Sequence, residues 1–234
     1  MPKIGDALKK AVELQPEKMP ETVPRSKPTS ALMNPNRRKI FQFLCTYPFS
    51  GQEMISQGTV LSRSSVSWHL DRLIDAGFLQ AFKDRRGKVY SPKGLVPLKY
   101  SADFTVLMQA DCRNMLRTLM ANPGLDKSGL GENPAVGRAG ACLRRLLGSG
   151  LIKKVMDGRH ARYFPTDRYH DLKRECLPVN KEFTRALLRR LAEEHLRPEI
   201  HDLKSADAVI EIWVLGQKEK LVISQLDPVS LDQK

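Results

Sequence analysis

Residues 64–79 read SSVSWHLDRLIDAGFL and combine a polar start, an amphipathic middle and a glycine near the end. Val66, Leu70 and Leu73 recur at helical spacing, so they form one apolar side of a predicted helix. Gly77 follows the last apolar turn, where a left-handed C-terminal cap favours glycine. The segment therefore predicts a helix with an apolar inner side and a polar outer side.

The flanking sequence supplies the other parts of a small module. Asn36 can cap a helix that ends before Pro48, and residues 51–57 predict a second short helix. Residues 78–90 predict two short strands joined by the basic turn KDRRG. Three helices followed by a basic hairpin are the parts of a winged helix.

The same order of elements returns further along the chain at a nearly constant spacing. The spacing is 75 residues before the third helix and 73 residues from the third helix onward, and a two-residue deletion between the second and third helices accounts for the difference. We therefore predict two tandem winged-helix domains, at residues 31–100 and 101–175. The pairs at a spacing of 73 are Leu70 with Leu143, Gly77 with Gly150, Tyr90 with Tyr163 and Pro92 with Pro165, and those at 75 are Ile40 with Met115, Leu44 with Leu119 and Pro48 with Pro123.

The segments outside the repeat have other compositions. Residues 1–30 place a proline at every fourth position from 16 to 28 among polar residues, which predicts a flexible arm. Residues 176–234 predict an amphipathic helix over 180–196 and a β-hairpin over 208–223. An isolated hairpin is marginal in water, so this one either joins two chains or covers the core of its own chain. The predicted fold class is mainly α with small β-hairpin wings (α+β), with two tandem winged-helix domains before the C-terminal helix and β-hairpin.

The charge of the chain is concentrated in the predicted repeat. The 234 residues include 39 Lys and Arg against 26 Asp and Glu, a net charge of +13. Residues 31–175 alone hold 24 basic and 12 acidic side chains. This concentration favours a polyanionic partner, with nucleic acid first, over a basic surface that only keeps the protein in solution.

Composition also argues against several classes of protein, among them membrane, disulfide-rich and secreted proteins. No apolar run approaches about 18 residues, which argues against a membrane protein. The four cysteines are scattered without a Cys-x-x-Cys pair, so we expect a reducing, cytoplasmic location and neither a zinc ribbon nor a disulfide framework. The N-terminal residues contain no signal-peptide pattern.

The first module resembles a known class of regulators. Residues 64–79 are similar to the recognition helix of ArsR- and MarR-type winged-helix transcription regulators, with Val-Ser, His-Leu, a Leu three residues later and Ala-Gly before an apolar pair. With the helix after Asn36 and RGKVY at residues 86–90, the resemblance covers the whole module. The second copy resembles the same fold, and tandem modules of this kind are known among archaeal regulators. The resemblance implies a DNA-binding regulator of archaeal type.

The predicted DNA contacts lie on the outer helix faces and in the basic hairpins. Serines near a helix N-terminus suit phosphates, an Arg can pair with guanine in the major groove, and hairpin cations suit the backbone or the minor groove. Trp68 either touches a thymine methyl or packs against the module. His69 is expected to order the helix by a hydrogen bond rather than to bind metal. The predicted residues are Ser64, Ser65, Ser67, Trp68 and Arg72 in the first helix, Arg85, Arg86 and Lys88 in the first wing, Arg138, Arg144 and Arg145 in the second helix, and Arg159 and Arg162 in the second wing.

The second module offers fewer side chains for reading bases, because residues 135–142 are rich in Gly and Ala. We expect it mainly to hold phosphates while the first module supplies most of the sequence preference. Its rival role is a platform for dimerisation or for the core.

Other chemistry is not expected. No Cys-x-Cys, Cys-x-x-Cys or His-x-x-x-His occurs, so no metal or other cofactor is predicted, and no grouping of nucleophile, base and acid predicts an enzyme. Two roles stay open for Cys142, which is either a redox-sensitive thiol or a small buried side chain.

The alternative function is a protein-interaction or architectural subunit of a chromatin or transcription complex. RNA binding is the weaker third hypothesis, since aromatic residues make up only 6%. Both a homodimer and a monomer that binds two adjacent half-sites stay open.

Overall fold

The architecture is seen in a computed structural model. The predicted arm lies outside the described residues except for Ser30. Eight helices and three antiparallel sheets form two similar series of elements and a C-terminal unit within the described part. None of the helices described combines the length and apolar character needed to cross a bilayer. The structure describes residues 30–84, 87–131, 139–202 and 207–224.

The first series has three helices and a three-stranded antiparallel sheet of order β1-β3-β2. The short β1 pairs with β3, Ser50 opposite Tyr90, and the hairpin of β2 and β3 extends beyond it. This is the winged-helix arrangement. The elements are α1 (Pro35–Thr46), β1 (Ser50–Gly51), α2 (Gln52–Thr59), α3 (Arg63–Asp75), β2 (Leu79–Asp84) and β3 (Gly87–Pro92).

Local chemistry fixes the helix ends. The side chain of Asn34 accepts hydrogen bonds from the backbone N–H groups of Asn36 and Arg37, so the predicted cap at Asn36 is wrong by two residues. Pro35 occupies the first helical position, where its missing N–H costs nothing. Gly77 adopts φ +73° after α3, and its N–H donates to the Ile74 carbonyl in a Schellman cap, as predicted.

The second series repeats the first at the predicted offsets. The bounds of α1 and α5 differ by 75 residues, and those of the two hairpins differ by 73. Gly150 ends α7 with φ +73°, as Gly77 ends α3, and a bridge between Leu125 and Tyr163 stands where β1 pairs with Tyr90. The elements are α4 (Ser101–Leu107), α5 (Ala110–Ala121), α6 (Lys127–Gly131), α7 (Ala139–Gly148), β4 (Ile152–Asp157) and β5 (His160–Pro165).

A buried arginine occupies the same position in both modules. Arg38 donates from Nη1 to the Leu32 carbonyl at 3.1 Å, and Arg113, 75 residues later, donates from Nη1 to the Leu107 carbonyl at 3.0 Å. Each bond ties the start of its helix, α1 or α5, to the segment that precedes that helix. The repeat therefore extends to polar core contacts that the apolar pattern did not reveal.

The C-terminal unit consists of one long helix and a three-stranded sheet of order β6-β7-β8. The helix begins twelve residues earlier than predicted and runs through Pro178, because the buried residues Leu172, Cys176, Phe183 and Leu187 form one stripe on both sides of the proline. That burial compensates for the backbone hydrogen bond that Pro178 removes. The short strand β6 was not predicted. The elements are α8 (Arg168–Glu193), β6 (Glu199–Asp202), β7 (Asp207–Val214) and β8 (Gln217–Ser224).

This unit packs on the first module of its own chain. Ile210, Ile212 and Leu221 are buried on the inner face of the sheet, and β8 contacts α1. Glu219 of β8 forms an ion pair with the buried Arg38 at 3.0 Å. Of the two roles expected for the hairpin, covering its own chain is the one observed; joining two chains stays a prediction.

The predicted fold class is thus confirmed as α+β with small antiparallel sheets and winged-helix modules. The domain boundaries stay predictions, and α8 crosses the one proposed at residue 175. An ion pair joins the start of this helix to the start of the second module. Arg168 donates from Nε and Nη2 to both carboxylate oxygens of the fully buried Asp103, at 2.8 and 2.9 Å.

Candidate nucleic-acid interface

Helix α3 separates its side chains as the sequence predicted. Val66, Leu70 and Leu73 are fully buried, whereas Ser64 and Arg72 are exposed. Trp68 is 52% exposed, and the Arg72 guanidinium lies 5.6 Å from its ring centroid. Trp68 therefore belongs to the outer surface rather than to the core. The pair presents a planar cation and an aromatic ring side by side.

The N-terminus of α3 is organised by a serine that sequence reasoning missed. The hydroxyl of Ser62 accepts from the Ser65 backbone N–H at 3.2 Å and lies 3.2 Å from the Ser64 hydroxyl. Ser65 and Ser67 are half-buried, so of the predicted serines only Ser64 is fully on the outer surface. An N-cap signal of the form Ser-x-x-Ser was present in the sequence.

Three basic side chains converge behind this surface. Burial and the nearby Arg72 charge lower the pKa of the Arg37 guanidinium, whose Nε donates to the Ala31 carbonyl at 2.5 Å. Burial and the Arg37 charge likewise lower the pKa of His69. Among the described residues His69 Nδ1 has no hydrogen-bond partner, so this nitrogen does not supply the hydrogen bond expected of His69.

The first wing places Lys88 at the surface. Its Nζ lies 5.5 Å from the Tyr90 ring centroid, and Lys83 stands opposite it across the hairpin. Both lysines are exposed, and Lys83 was not among the predicted residues. The predicted Arg85 and Arg86 lie outside the described residues.

Of the two described arginines of helix α7, one side chain faces solvent and the other packs against its own module. Arg144 is exposed, but Arg145 is half-buried and hydrogen-bonds through Nη1 to the Gln109 side-chain oxygen at the start of α5. Arg145 thus contacts its own module in this structure. The predicted Arg138 lies outside the described residues.

The second wing is exposed over residues 153–160. Arg159 is exposed; Arg162 is exposed and donates to Asp157 Oδ2 at 2.7 Å and to the Gly124 carbonyl at 3.1 Å. Lys153 and Lys154 are exposed on β4, although the sequence analysis did not select them. Their place in a strand aligned with β2 was the available signal.

The end of helix α3 is held by α8. Arg190 donates from Nη1 to the Gly77 carbonyl at 3.0 Å, donates from Nη2 to the Ala76 carbonyl, and its Cζ lies 3.5 Å from the Phe78 ring centroid. Glu194 forms an ion pair with Arg190 at 3.1 Å. A cation at a helix C-terminus is favourable because it satisfies the free carbonyl groups. Arg190 therefore positions the helix that carries Trp68.

The thiols are internal. Cys142 is 2% exposed, and burial together with the adjacent Cys142 thiol raises the pKa of Cys112 to about 12. Burial also raises the pKa of Cys176 to about 12. A thiol this buried is poorly accessible to oxidants, which favours the packing role over the redox role for Cys142. The described residues contain no group of three or more His, Cys, Asp or Glu placed to hold a metal ion.

Comparisons with known proteins add little. No family model and no curated protein matches the chain. One similar solved structure is the crystal structure of T. acidophilum IdeR, at 13% sequence identity and a TM-score of 0.20, over 86% of this chain and 100% of that chain. A TM-score this low carries no argument about function.

Proposed function

We propose that this chain binds double-stranded DNA sequence-specifically and regulates transcription, as a binding protein of ArsR- and MarR-like type rather than an enzyme. The observation that carries the proposal is the outer face of α3, where Trp68 and Arg72 stand exposed on a helix whose other side is fully buried. This helix is the third of its module and precedes the wing, so it occupies the recognition position. An exposed Arg in the major groove can pair with guanine, and an aromatic edge can contact a thymine methyl.

Electrostatics support an anionic partner. Burial first, and then the charge of a neighbouring arginine, lowers the pKa of Arg37 and of His69, and the neighbour is Arg72 for Arg37 and Arg37 for His69. The charges of Arg37 and Arg72 repel each other in the free protein, and a phosphate beside them would offset that repulsion. The wings add exposed lysines in both modules, at Lys88 and Lys154.

The decisive experiment is selection of random genomic duplex fragments by the purified protein at two salt concentrations, followed by sequencing. Enrichment of one motif, together with affinity that falls as salt rises, supports a sequence-specific binder. Salt-sensitive binding without enrichment supports the architectural alternative. Absence of binding at low salt contradicts the proposal and favours protein docking.

Three variants divide the roles of the two modules. Arg72→Ala should lower affinity for the selected site about tenfold or more and relax one base position, while Arg144→Ala should weaken all duplexes alike and reduce the salt slope by about 1. Arg189→Ala is the matched control, because Arg189 is equally cationic but lies exposed on α8, where it pairs with Glu182. An equal loss in all three variants would mean that only total charge matters.

A further inference from the structure

The second wing differs from the first in what it exposes. Met156 is 58% exposed and Val155 is 44% exposed, and every residue from 153 to 160 is exposed. At the equivalent positions 73 residues earlier, Phe82 packs on Phe49 with ring centroids 5.2 Å apart, and Lys83 is exposed. The first wing thus keeps its apolar residue on the core, whereas the second presents two apolar side chains to solvent.

These two apolar side chains lie on opposite faces of the hairpin. Val155 stands opposite Arg162 and Met156 stands opposite Ala161, and successive residues of a strand alternate between faces. The lysines alternate in the same way, with Lys153 on the face of Val155. Each face therefore carries one apolar residue and one lysine.

This distribution fits a nucleic-acid groove better than a protein surface. A groove has two walls, each with apolar sugar carbons and anionic phosphates, so a hairpin inserted between them needs both kinds of group on both faces. A protein partner would instead cover one face, and that face would collect the apolar residues. The acidic residue described here, Asp157, already pairs with Arg162 at 2.7 Å, so it opposes phosphate contact weakly.

Helix α7 of the same module presents few side chains that could contact bases, so the hairpin is the other element available for such contacts. The described sequence of α7 starts Ala-Gly-Ala, and Arg145 turns inward to Gln109, so Arg144 is its exposed arginine within the described residues. Apolar side chains such as Met that enter the minor groove can wedge into a base step and kink the duplex.

We propose that the second wing enters the minor groove of duplex DNA and wedges Met156 against a base step, with Lys153 and Lys154 on the flanking phosphates, so that the DNA bends. This inference rests on the proposed function. The first module then supplies most of the base contacts, and the second selects sites by their deformability.

The test measures bending by energy transfer between dyes at the two ends of a duplex of about 30 base pairs that carries the selected site, a length well below the persistence length of DNA. Wild-type protein should bring the ends together, and Met156→Gln should abolish more than half of that change. Affinity should fall about three- to tenfold with an unchanged salt slope, because no cation is removed. Replacing a flexible step beneath the wing by a stiff A-tract should weaken the wild type and leave Met156→Gln nearly unaffected.

Three controls keep the outcomes apart. Met156→Leu should retain the bend. Val155→Thr, which changes the opposite face of the hairpin without changing side-chain volume, should leave the bend nearly intact. Lys83→Gln at the equivalent position of the first wing should reduce the salt slope and leave the bend intact. Met156 is exposed, so circular dichroism should show unchanged folding of its variants.

An unchanged bend in Met156→Gln overturns the wedge, and so does a wild-type complex that binds without bending. Self-association that Met156→Gln abolishes, measured by sedimentation, also overturns it, since a second copy would then cover the wing. If the wild type binds no duplex at all, the proposed function falls with it.

Discussion

His69 is a buried histidine whose protonation opposes folding. Burial and the Arg37 charge hold its pKa below the ordinary 6.5, so below about pH 6.5 the unfolded chain binds a proton that the folded chain binds less readily. The free energy of unfolding should therefore fall as the pH drops through 6.5 and toward the lowered folded pKa. In His69→Gln this part of the pH dependence should vanish.

Urea unfolding at about pH 7.5 and about pH 5.5 measures the effect as a difference within each variant, which removes any packing cost of the substitution itself. The matched control is His170→Gln, because His170 is exposed on α8. Equal pH dependence of wild type and His69→Gln would contradict the prediction.

Leu215 occupies a turn position that suits other residues better. Leu215 and Gly216 join β7 to β8 with φ +50° and +83°, as a type I′ turn requires, and Leu215 is 87% exposed. A branched side chain in the left-handed region costs about 1 kcal/mol, whereas Asn is favoured there. Leu215→Asn should therefore raise the free energy of unfolding by about 0.5–1 kcal/mol, measured by urea titration.

Leu215→Ala separates turn chemistry from the removal of an exposed apolar side chain. Alanine keeps the left-handed strain, so its stability should stay close to that of the wild type. A gain in Leu215→Ala equal to that in Leu215→Asn would show that the backbone conformation is not the cause.

Helix α8 stabilises helix α3 through Arg190, which bonds to the Gly77 and Ala76 carbonyls and stacks on Phe78. Arg190→Ala leaves these carbonyls without their cationic partner, and we expect a loss of about 1.5–3 kcal/mol in the free energy of unfolding. If the chain binds DNA as proposed, its DNA affinity should fall as well, because the end of α3, the proposed recognition helix, is less fixed. Thermal unfolding and fluorescence anisotropy measure the two effects.

Arg189→Ala removes the same charge from the next position of the helix. Arg189 is exposed and pairs with the exposed Glu182, so its loss should change stability by less than about 0.5 kcal/mol. Similar effects of Arg189→Ala and Arg190→Ala would contradict the positioning role.

The repeat made most elements predictable. Helical spacing of Val66, Leu70 and Leu73 and the stop at Gly77 gave helix α3, and the same signals at an offset of 73 gave the second module. Tertiary packing determined the features that local sequence signals did not predict. A buried apolar stripe carries α8 through Pro178, and Arg145 turns inward because Gln109 offers it a partner. Exposure of Trp68 also depends on neighbours that a single helix does not reveal.

The C-terminal sheet completes the first module rather than standing apart. Its buried residues, among them Ile210, Ile212 and Leu221, face inward, and Glu219 pairs with the buried Arg38 of α1. Its outer face carries a ladder of opposite charges, with Lys220 and Lys218 both near Glu211. Charged residues are depleted at the centre of stable protein interfaces, so the charges around Glu211 disfavour a dimer contact at that point, while the role of the sheet in joining two chains stays a prediction.

Deleting residues 197–234 should therefore destabilise the first module selectively. Each large apolar side chain that loses burial costs about 1.5–3 kcal/mol, and Arg38 loses its ion pair. Amide hydrogen exchange in α1 should accelerate by about tenfold or more, while exchange in α5, the equivalent helix of the second module, should change little and serves as the internal control. Sedimentation of the full and shortened chains distinguishes the rival role: a mass halved by the deletion with α1 still protected would mean that the sheet joins two chains, whereas an unchanged mass with α1 deprotected means that it covers its own.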